Sequence, residues 1–572
     1  MKLLYLLTPL LIACLPQTPK DQDVVDSAST NSVIDPLASE AWHLENRGQM
    51  SFSSALALAG EDSKIKQAHE LGFTGKHIRI AVSDDGLDRT HPDLKDNELV
   101  GEHRNYLLSP PYIGSPVPAG TFDSHGTAVT GLIAAIKGNT LGSYGVAPDA
   151  QFAGFQYLNS NQENAMFLHQ LQGNFDIFNY SYGAAGCIIT PNYSNDYRNA
   201  LIYGVTQQRN QLGSIYVKAA GNSFQGPLSE CATGVGNQKY WGNANLESEQ
   251  TVPYLIIVGA INARGIKSSY STPGSNLWVS GLGGEDGVNT PAMITTDLQG
   301  CSRGWSHSSY GSSLFEIGQN DNNKNCDYIH TMNGTSSAAP VVAGVVALLL
   351  EANPQLTWRD VKHILAKTAD KVDYKPSSNT LAHPQSILNL PDHTYDYKWV
   401  INQAGNLFSN WYGFGRVNAK NAVEMAKSYT FLGPYIEGSK LTSSAINLTI
   451  PSGSGNNSTG VSHSQTYSSS VNKIESVEVE VEIDHHFLGD LGIEITSPSG
   501  TTSKLTLINS WTLDWLKGSN PTSNRKLQLL SNAFYEENSN GSWTLKVIDG
   551  DTTNTQQGTL KSWSLKINGR AN

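Results

Sequence analysis

The segment GTSSAAPVVAGVVALLLEANP, residues 334–354, decides the fold of this chain. Small and apolar residues follow one another until Glu351, and Pro354 ends the run. Its apolar part, residues 341–350, has the length of a buried helix and is too short for a membrane span. The helix start carries Ser336, where free backbone N–H groups favour developing negative charge. Taken alone, this serine would be interpreted as an N-cap.

Other apolar runs in the N-terminal part end in small or polar residues, as buried strands do. HIRIAVSDD runs into a turn, and GTAVTGLIAAI opens directly after His125 as a helix. Strands that alternate with helices predict a parallel sheet with helices on both faces. The predicted strands are 77–85, 175–181, 214–222 and 254–261, and the predicted helices are 126–136 and 334–354.

The composition changes near residue 433. Residues 438–470 are dense in Ser, Asn, Gly and Thr and are typical of a loop or linker. VNKIESVEVEVEID (471–484) then alternates apolar and acidic residues with period two, and further short runs follow at hairpin spacing. This half is predicted to be an all-β sandwich or jelly roll. A chain of 572 residues has room for two or three domains.

Charge and the first residues bound the class of protein. A net charge of −12 argues against a nucleic-acid binder, because phosphate binding needs a basic face. MKLLYLLTPLLIAC (1–14) reads as a signal peptide, followed by a polar tether at 15–34. Its last four residues resemble the lipobox of bacterial lipoproteins, which would make Cys14 the lipidated N-terminus. An ordinary signal cut a few residues later is the alternative. Either way we expect an exported protein, anchored in the cell envelope or extracellular.

The five cysteines agree with export, because without Cys14 an even four remain. Two disulfides are therefore plausible, and four cysteines allow three pairings. Proximity along the chain favours Cys301–Cys326 and Cys187–Cys231. No CxxC spacing indicates a zinc site.

Three local sequences carry the residue types that hydrolysis by a serine requires. Asp84 ends a predicted buried strand in AVSDDGLDRTHPDL, and His125 precedes a small-residue helix in DSHGTAVTGLIAA. Ser336 opens the third, NGTSSAAPVVAGVVALL. A base must take the serine proton, a carboxylate must orient that base, and donors must meet the oxyanion. A single DG dipeptide is typical of a turn, and a single histidine is more often structural than catalytic. The three motifs together, however, follow the order Asp, His, Ser that is found in subtilisin.

These motifs resemble the active-site segments of the subtilisin-like serine proteases. Within that group the chain looks most similar to the kexin- and furin-type proprotein convertases over about 35–430. The likeness rests on DDGLD, IDPLASEAWHLENRGQ (34–49), TTDL (295–298) and LTWRDVKHIL (356–365). DLGIEITSPSGT (490–501) and GSWTLKVID (541–549) resemble the P domain that follows the protease in that group.

The resemblance implies a subtilisin-like α/β parallel-sheet domain followed by an all-β sandwich or jelly-roll domain. The expected organisation is a signal peptide at 1–14, a tether at 15–34, a peptidase domain at 35–432, a linker and start of the β-domain at 433–470, and a P domain at 471–572.

The family's roles map onto matching residues of this sequence. Asp84, with Asp85 as its acidic neighbour, would orient His125 as general base, and Ser336 would be the nucleophile. AAGN (219–222) matches the segment that supplies the oxyanion amide, which implies that role for Asn222.

Substrate recognition is implied by two further segments. SYG, formed by Ser181, Tyr182 and Gly183, matches the strand that pairs with a peptide substrate. Glu247 falls where kexins keep an acidic residue for Lys or Arg, and Glu249 is a nearby alternative. The kexin loop with clustered acids is absent, because AAGCIITPNY (184–193) stands in its place, so a strict dibasic preference is not expected.

Calcium is the cofactor that the resemblance implies, since a hard cation takes oxygen ligands from separate parts of a chain. One family site maps onto Asp35, Asp93 and Asn139, with carbonyls near Ile136 and Leu141. The second kexin calcium site has no matching aspartates, and Glu285 alone could remain of it.

A folded pro-domain has no room before residue 30, so we expect an external folding chaperone besides protein or peptide substrates. Two other functions would each require a different set of residues. A protease-like scaffold that only binds would lack a triad member or the oxyanion asparagine. An esterase of the α/β-hydrolase type would need GxSxG and the order Ser, acid, His.

Overall fold

A computed structural model describes most of the chain. The described residues are 34–184, 193–224, 242–307, 313–374, 380–381, 396–397, 399–453, 460–486, 488–508, 525–550, 555 and 557–572. The expectations for Cys14, Cys187 and Cys231, for the signal peptide and for nearly all of the tether therefore lie outside the described residues.

The apolar runs of the N-terminal part form a seven-stranded sheet in which every strand runs parallel to its neighbours. The strand order is β2–β3–β1–β4–β5–β6–β7. Because both faces are covered, four of its strands are mostly apolar and wholly buried. The strands are β1 (Arg79–Asp84), β2 (Arg104–Asn105), β3 (Gln151–Gln156), β4 (Ile177–Tyr180), β5 (Ile215–Ala219), β6 (Leu255–Ile261) and β7 (Val279–Leu282).

Seven α-helices are seen in the described residues, and two of them position the site. The α2 and α5 helices pack against each other, and both lie against the sheet. The helices are α1 (Ile65–Glu70), α2 (His125–Ala134), α3 (Glu163–Gln172), α4 (Asn195–Gln207), α5 (Thr335–Ala352), α6 (Trp358–Thr368) and α7 (Ala419–Lys427).

The α5 helix confirms the prediction of a core helix made from the opening segment. Within the described part of the chain it is the helix whose length and composition would suit a membrane, yet 89% of its apolar window is buried inside the protein. Its small residues allow close approach: a Cβ at Gly344 would meet Val146 at 2.5 Å.

Short antiparallel pairs connect the larger elements. They are β8 (Met293–Thr296) with β9 (Tyr328–Met332), β10 (Thr380–Leu381) with β11 (Asp396–Tyr397), and β12 (Val400–Ile401) with β13 (Leu407–Phe408). The segment between β8 and β9 carries the disulfide Cys301–Cys326, which confirms one of the two pairings that proximity favoured.

The C-terminal part is a sandwich of two antiparallel sheets, as predicted. One sheet has the order β14–β22–β17–β20 with β15 beside β22, and the other has the order β16–β21–β18–β19. The strands are β14 (Leu441–Thr442), β15 (Leu448–Ile450), β16 (Val461–Tyr467), β17 (Lys473–Asp484), β18 (Leu491–Thr496), β19 (Thr502–Thr506), β20 (Arg525–Ser531), β21 (Gly541–Asp549) and β22 (Gly558–Arg570).

The alternation of valine and glutamate in β17 works as predicted, because Val477, Val479 and Val481 enter the sandwich core. The segment 438–470, expected to be loop or linker, nevertheless contains β14, β15 and β16. The β16 strand is the edge of its sheet, and most of its residues are half-buried or exposed. Such a strand shows no hydrophobic alternation in the sequence.

The sandwich contacts the α/β part through a largely polar buried surface. Asn245 donates to the carbonyls of Leu505 and Leu530, and Asn532 donates to the carbonyls of Asn276 and Leu277. The side chains of Asn245 and Asn532 are buried at this surface, and so is Tyr535, whose ring packs on Trp278. Residues Ile34–Asn572 consequently form one compact unit.

Candidate functional site

The carboxyl end of β1 and the start of α2 bring an aspartate and a histidine together. Asp84 is the last residue of β1, and its Oδ1 lies 2.7 Å from Nδ1 of His125, the first residue of α2. The aspartate is 1% exposed. Burial alone would lower the pKa of His125, but the charge of Asp84 and their hydrogen bond outweigh it and raise that pKa. The imidazole is thus held in one orientation and made more basic.

Asp85 fixes the helix that carries this histidine. Its carboxylate accepts hydrogen bonds from the backbone N–H groups of His125 (3.1 Å) and Gly126 (2.8 Å), which are free at a helix start. Burial, followed by the charge of Asp84, raises the pKa of Asp85 to about 7. A Cβ at Gly126 would lie 2.0 Å from the Gly86 carbonyl, so only glycine lets α2 approach this turn.

Ser336 lies at the start of α5, at the same edge of the sheet. Its Oγ donates to the Ser181 carbonyl at 2.9 Å, and Ser181 Oγ donates to the Ser336 carbonyl at 3.0 Å. Ser181 directly follows β4, the neighbour of β1. Ser336 is 9% exposed.

Asn222 follows β5 and is anchored to the same helix start. Its Oδ1 accepts hydrogen bonds from the N–H (2.8 Å) and the hydroxyl (3.0 Å) of Thr335, which leaves the amide nitrogen Nδ2 as a donor. A Cβ at Gly334 would lie 3.1 Å from that Nδ2 and 3.4 Å from the Ser336 nitrogen, and the φ of Gly334 is 101°. A glycine there keeps open a space flanked by two N–H donors.

Trp305 is a neighbour of this site that sequence reasoning missed. Its ring meets the His125 ring edge to face, with centroids 6.0 Å apart. The Asp297 carboxylate accepts hydrogen bonds from the N–H groups of Trp305 and Ser306, and it holds the loop in place. The TTDL segment (295–298) could have indicated this loop, because a buried aspartate such as Asp297 has to accept hydrogen bonds from nearby N–H groups.

Two backbone segments that are expected to bind substrate lie near the Glu247 side chain. The first is Ser181–Tyr182–Gly183 and the second is 219–222. Glu247 lies between them, since a Cβ at Gly183 would meet its Oε2 at 2.8 Å. Gln250 donates to the same oxygen at 2.7 Å and reaches the Ala219 carbonyl at 3.4 Å. Glu247 therefore lies next to Gly183 directly and is linked to Ala219 through Gln250.

Lys218, which sequence reasoning also missed, forms an ion pair with Glu247. Its ammonium lies 3.0 Å from Glu247 Oε1 and 3.9 Å from Glu249 Oε2, and it donates to the Tyr182 carbonyl at 2.9 Å. The signal was its position: a lysine in the otherwise apolar run SIYVKAAGN needs a buried acidic partner. Burial raises the pKa of both glutamates, and the lysine counteracts this.

The residues expected to bind a cation also lie together. Asn139 Nδ2 donates to Asp93 Oδ1 at 2.8 Å, and the Asp35 carboxylate accepts the N–H groups of residues 138–140. Both aspartates are at most 3% exposed. Ile136 N–H donates to the Asp93 carbonyl at 3.0 Å, and Leu141 N–H donates to Asn139 Oδ1 at 2.9 Å.

Clusters of three or more His, Cys, Asp or Glu side chains suited to a metal do not occur among the described residues. The Asp35–Asp93 set has only two such side chains, with an amide as the third. Glu285 instead accepts hydrogen bonds from Asn262 and Ser269, which holds a loop after β7.

Known proteins share both halves of this architecture. Residues 75–415 match the model of the subtilase family, and residues 474–567 match the model of the proprotein convertase P-domain. The chain is 34% identical over 604 residues to the Aeromonas extracellular serine protease of Aeromonas sobria, an alignment covering 97% of this chain and 95% of that protein. It is 28% identical over 580 residues to kexin of Saccharomyces cerevisiae, covering 97% of this chain and 59% of kexin.

A solved structure shows the same likeness in three dimensions. The crystal structure of the Aeromonas sobria serine protease in complex with the chaperone ORF2 superposes with a TM-score of 0.82 at 33% identity. The match covers 94% of this chain and 95% of that chain.

Proposed function

Because this chain belongs to the subtilase family of serine proteases, we propose that it is an exported endopeptidase with Asp84, His125 and Ser336 as its catalytic triad. Asn222 and the Ser336 N–H would stabilise the oxyanion. The observation that carries the proposal is the 2.7 Å pair of Asp84 and His125 at the sheet edge where α5 presents Ser336.

The reaction follows from these positions. The Ser336 hydroxyl turns from the Ser181 carbonyl to His125, which takes its proton as Oγ bonds to the substrate carbonyl carbon. The carbonyl oxygen becomes an anion and accepts hydrogen bonds from Asn222 Nδ2 and the Ser336 N–H. His125 returns the proton to the amine as the C–N bond breaks. Water then attacks the acyl-enzyme by the same proton route and frees Ser336.

Ser336→Ala tests the proposal with a blocked fluorogenic peptide. Loss of hydrolysis in the folded variant is expected, and retained hydrolysis would contradict the triad. An esterase would cleave only an ester analogue, and a binding scaffold would cleave neither substrate.

We infer that cleavage follows Lys or Arg. The support is the buried carboxylate of Glu247, which lies beside Gly183 in the proposed substrate cleft between 181–183 and 219–222. Glu249, which like Glu247 lies near Lys218, and the similarity to kexin support it further. A desolvated carboxylate binds a cationic side chain selectively. Profiling on a peptide library should show Lys or Arg before the cleaved bond, and a preference for large apolar residues would refute this. Glu249→Gln is the matched control for Glu247→Gln, because it keeps the carboxylate nearest Gly183.

Calcium is the cofactor we propose, held by Asp35, Asp93 and Asn139 with carbonyls near Ile136 and Leu141. The residues fit the ion, because all the side-chain ligands are oxygens and two carboxylates are buried side by side. Burial, with a contribution from the charge of Asp35, raises the pKa of Asp93 to about 7. A divalent cation bound between the two carboxylates would favour their charged forms and so lower the pKa of Asp93.

Binding of calcium to the folded state alone raises stability by mass action. EDTA should therefore lower the melting temperature of the wild type, while the melting temperature of Asp93→Asn should respond much less. An unchanged melting temperature of the wild type after thorough chelation would contradict the site.

Export is proposed from the signal-like residues 1–14 and from the similarity to a protease named as extracellular. Lipidation of Cys14 is the more specific proposal. Expression in a bacterium with labelled palmitate should label the wild type, and Cys14→Ser should lose the label but keep the activity. A wild type without label would leave a secreted, unanchored protease.

An external folding chaperone is the last part of the proposal. The large parallel sheet brings together strands far apart in the sequence, so long loops must close before contacts form. The Aeromonas sobria protease has been crystallised with a chaperone. Residues 15–572 expressed alone with calcium in an oxidising compartment should be inactive or aggregated, and a co-expressed partner should rescue them. Good yield of active enzyme without a partner would refute this.

A further inference from the structure

A lysine is enclosed beside the substrate cleft. Only 1% of the Lys218 side chain is exposed, and its neighbours Val217 and Ala219 in β5 are buried. An ammonium in such a place must be paired, since an uncompensated buried charge is strongly destabilising. Its partners are Glu247 Oε1 at 3.0 Å and the Tyr182 carbonyl at 2.9 Å.

The pair lies next to Tyr182 and Gly183, in the segment proposed to bind substrate. Glu247 Oε2 faces Gly183 and is held by Gln250, whereas Oε1 is taken by Lys218. Tyr182, which accepts a hydrogen bond from the lysine, belongs to the wall expected to pair with substrate. Lys218 therefore links the Tyr182 carbonyl, in the segment proposed to bind substrate, to the Glu247 carboxylate.

The charges of this cluster are not those of a purely acidic pocket. Lys218 lies within 4 Å of both Glu247 and Glu249, and Glu249 in turn shares a hydrogen bond with Glu163. A substrate Lys or Arg would bring a second cation to a carboxylate that already has one. Two like charges about 4 Å apart repel each other in a partly buried site, so the internal cation opposes the incoming one.

We propose that Lys218 is a specificity-determining residue, an internal counter-ion that limits how strongly the cleft prefers a basic over a neutral side chain before the cleaved bond. The inference rests on the proposed function, in which this cleft binds that side chain. Lys218 itself does not reach substrate, because its ammonium is enclosed between Glu247 and Tyr182.

The experiment compares two peptides that differ only in Arg or norleucine before the cleaved bond. Lys218→Met should raise the ratio of their kcat/KM values by about tenfold, because the substrate then supplies the only cation for Glu247. Benzamidine, a free amidinium probe, should inhibit Lys218→Met at lower concentration than it inhibits the wild type. A merely structural role would lower both kcat/KM values together and leave the ratio unchanged.

Lys362→Met is the matched control. Lys362 is also buried, but its ammonium bonds to the Pro253 and Leu255 carbonyls, away from the cleft. Its replacement should leave the ratio unchanged.

A second background guards against misfolding of the single variant. Glu247→Gln should lower the ratio, because Lys218 then repels a basic side chain without its partner. Adding Lys218→Met to Glu247→Gln should raise the ratio again, and this double variant removes the buried ammonium together with the carboxylate nearest to it. The inference is overturned if Lys218→Met raises the ratio in neither background.

The wild-type ratio tests the proposed function separately. A ratio near one in the wild type that rises in Lys218→Met would refute the basic preference and support the inference. A high wild-type ratio that does not move would do the opposite.

Discussion

Two buried acid–base pairs lie in the same α/β layer and differ in one respect. Asp84 meets His125 at 2.7 Å, and Glu247 meets Lys218 at 3.0 Å, with the carboxylate largely enclosed in both. The basic partner differs, because 23% of the His125 side chain is exposed but only 1% of the Lys218 side chain. Exposure decides what each pair can do.

An exposed base next to an enclosed acid can exchange a proton with another molecule. The same arrangement with an enclosed base only sets a fixed charge. The first pair should therefore govern the rate for every substrate, whereas the second should govern the choice between substrates. The predictions below separate rate from choice.

The largest effect is expected from Asp84→Asn. The asparagine keeps the shape but loses the charge that orients and stabilises the His125 cation, so kcat should fall by about 10⁴-fold. The loss should be equal for the Arg and norleucine peptides. A loss confined to one peptide would place Asp84 in recognition and would break the comparison.

Asn222→Ala is expected to have the next largest effect. Removing one oxyanion donor should lower kcat by about 10²- to 10³-fold with little change in KM, again for both peptides. The side-chain oxygen Oδ1 of Asn222 also accepts a hydrogen bond from the Thr335 N–H, so the melting temperature of the variant must be measured as well. An unchanged kcat in a folded variant would exclude Asn222 as a donor.

A third ion pair, enclosed on both sides, extends the comparison. Glu475 in β17 accepts hydrogen bonds from Arg359 of α6 at 2.8 and 2.5 Å and from Arg570 of β22 at 3.2 Å. Glu475→Gln leaves the buried Arg359 guanidinium without its anion, whereas Arg570 keeps Glu536 at 2.7 Å. The substitution should cost about 3 kcal/mol of stability. Activity per folded molecule should not change.

Glu424→Gln provides the control for that stability measurement, since Glu424 forms an exposed pair with Lys420 on α7. Its melting temperature should hardly move. Equal effects of the two variants would show that the sandwich contact is not held by this pair.

The smallest effect is a shift of the pH profile in Asp85→Asn. Catalysis needs a neutral His125, so activity falls as pH falls through the pKa of His125. Burial lowers that pKa, and the charges of Asp84 and then Asp85 raise it above its usual value near 6.5. Without the Asp85 charge the pKa falls, so the acidic limb of kcat/KM should move to lower pH. A shift to higher pH would contradict this electrostatic account.

The sequence predicted the catalytic edge better than the pocket, and the reason is physical. Asp84, His125 and Ser336 each lie at the start or end of a strand or helix that is rich in apolar residues. One short motif therefore predicts both the residue and its position in the fold. Lys218 and Glu247 meet only through the fold, with β5 and a short turn at Ser248–Thr251 bringing them together.

The sandwich shows the same division. Strand β17 was predicted from alternating Val and Glu residues, because its inner face must be apolar. The β16 edge strand and the Glu475 ion pair were not predicted, because an edge strand exposes polar residues and because Arg359 and Glu475 are far apart in the chain. Trp305 was missed for a similar reason, since it reaches His125 of α2 from a loop between β8 and β9 that is far away in the sequence.

Labelling with a fluorophosphonate tests the central claim most directly. This reagent phosphonylates only an activated serine hydroxyl, with loss of fluoride, and intact mass and peptide mapping locate the adduct. Wild type should gain one adduct on Ser336, and Ser336→Ala should gain none. Ser337→Ala, which replaces the fully buried neighbouring serine, should be labelled like the wild type. An adduct on another residue, or on Ser336→Ala, would contradict the assignment of Ser336 as the nucleophile.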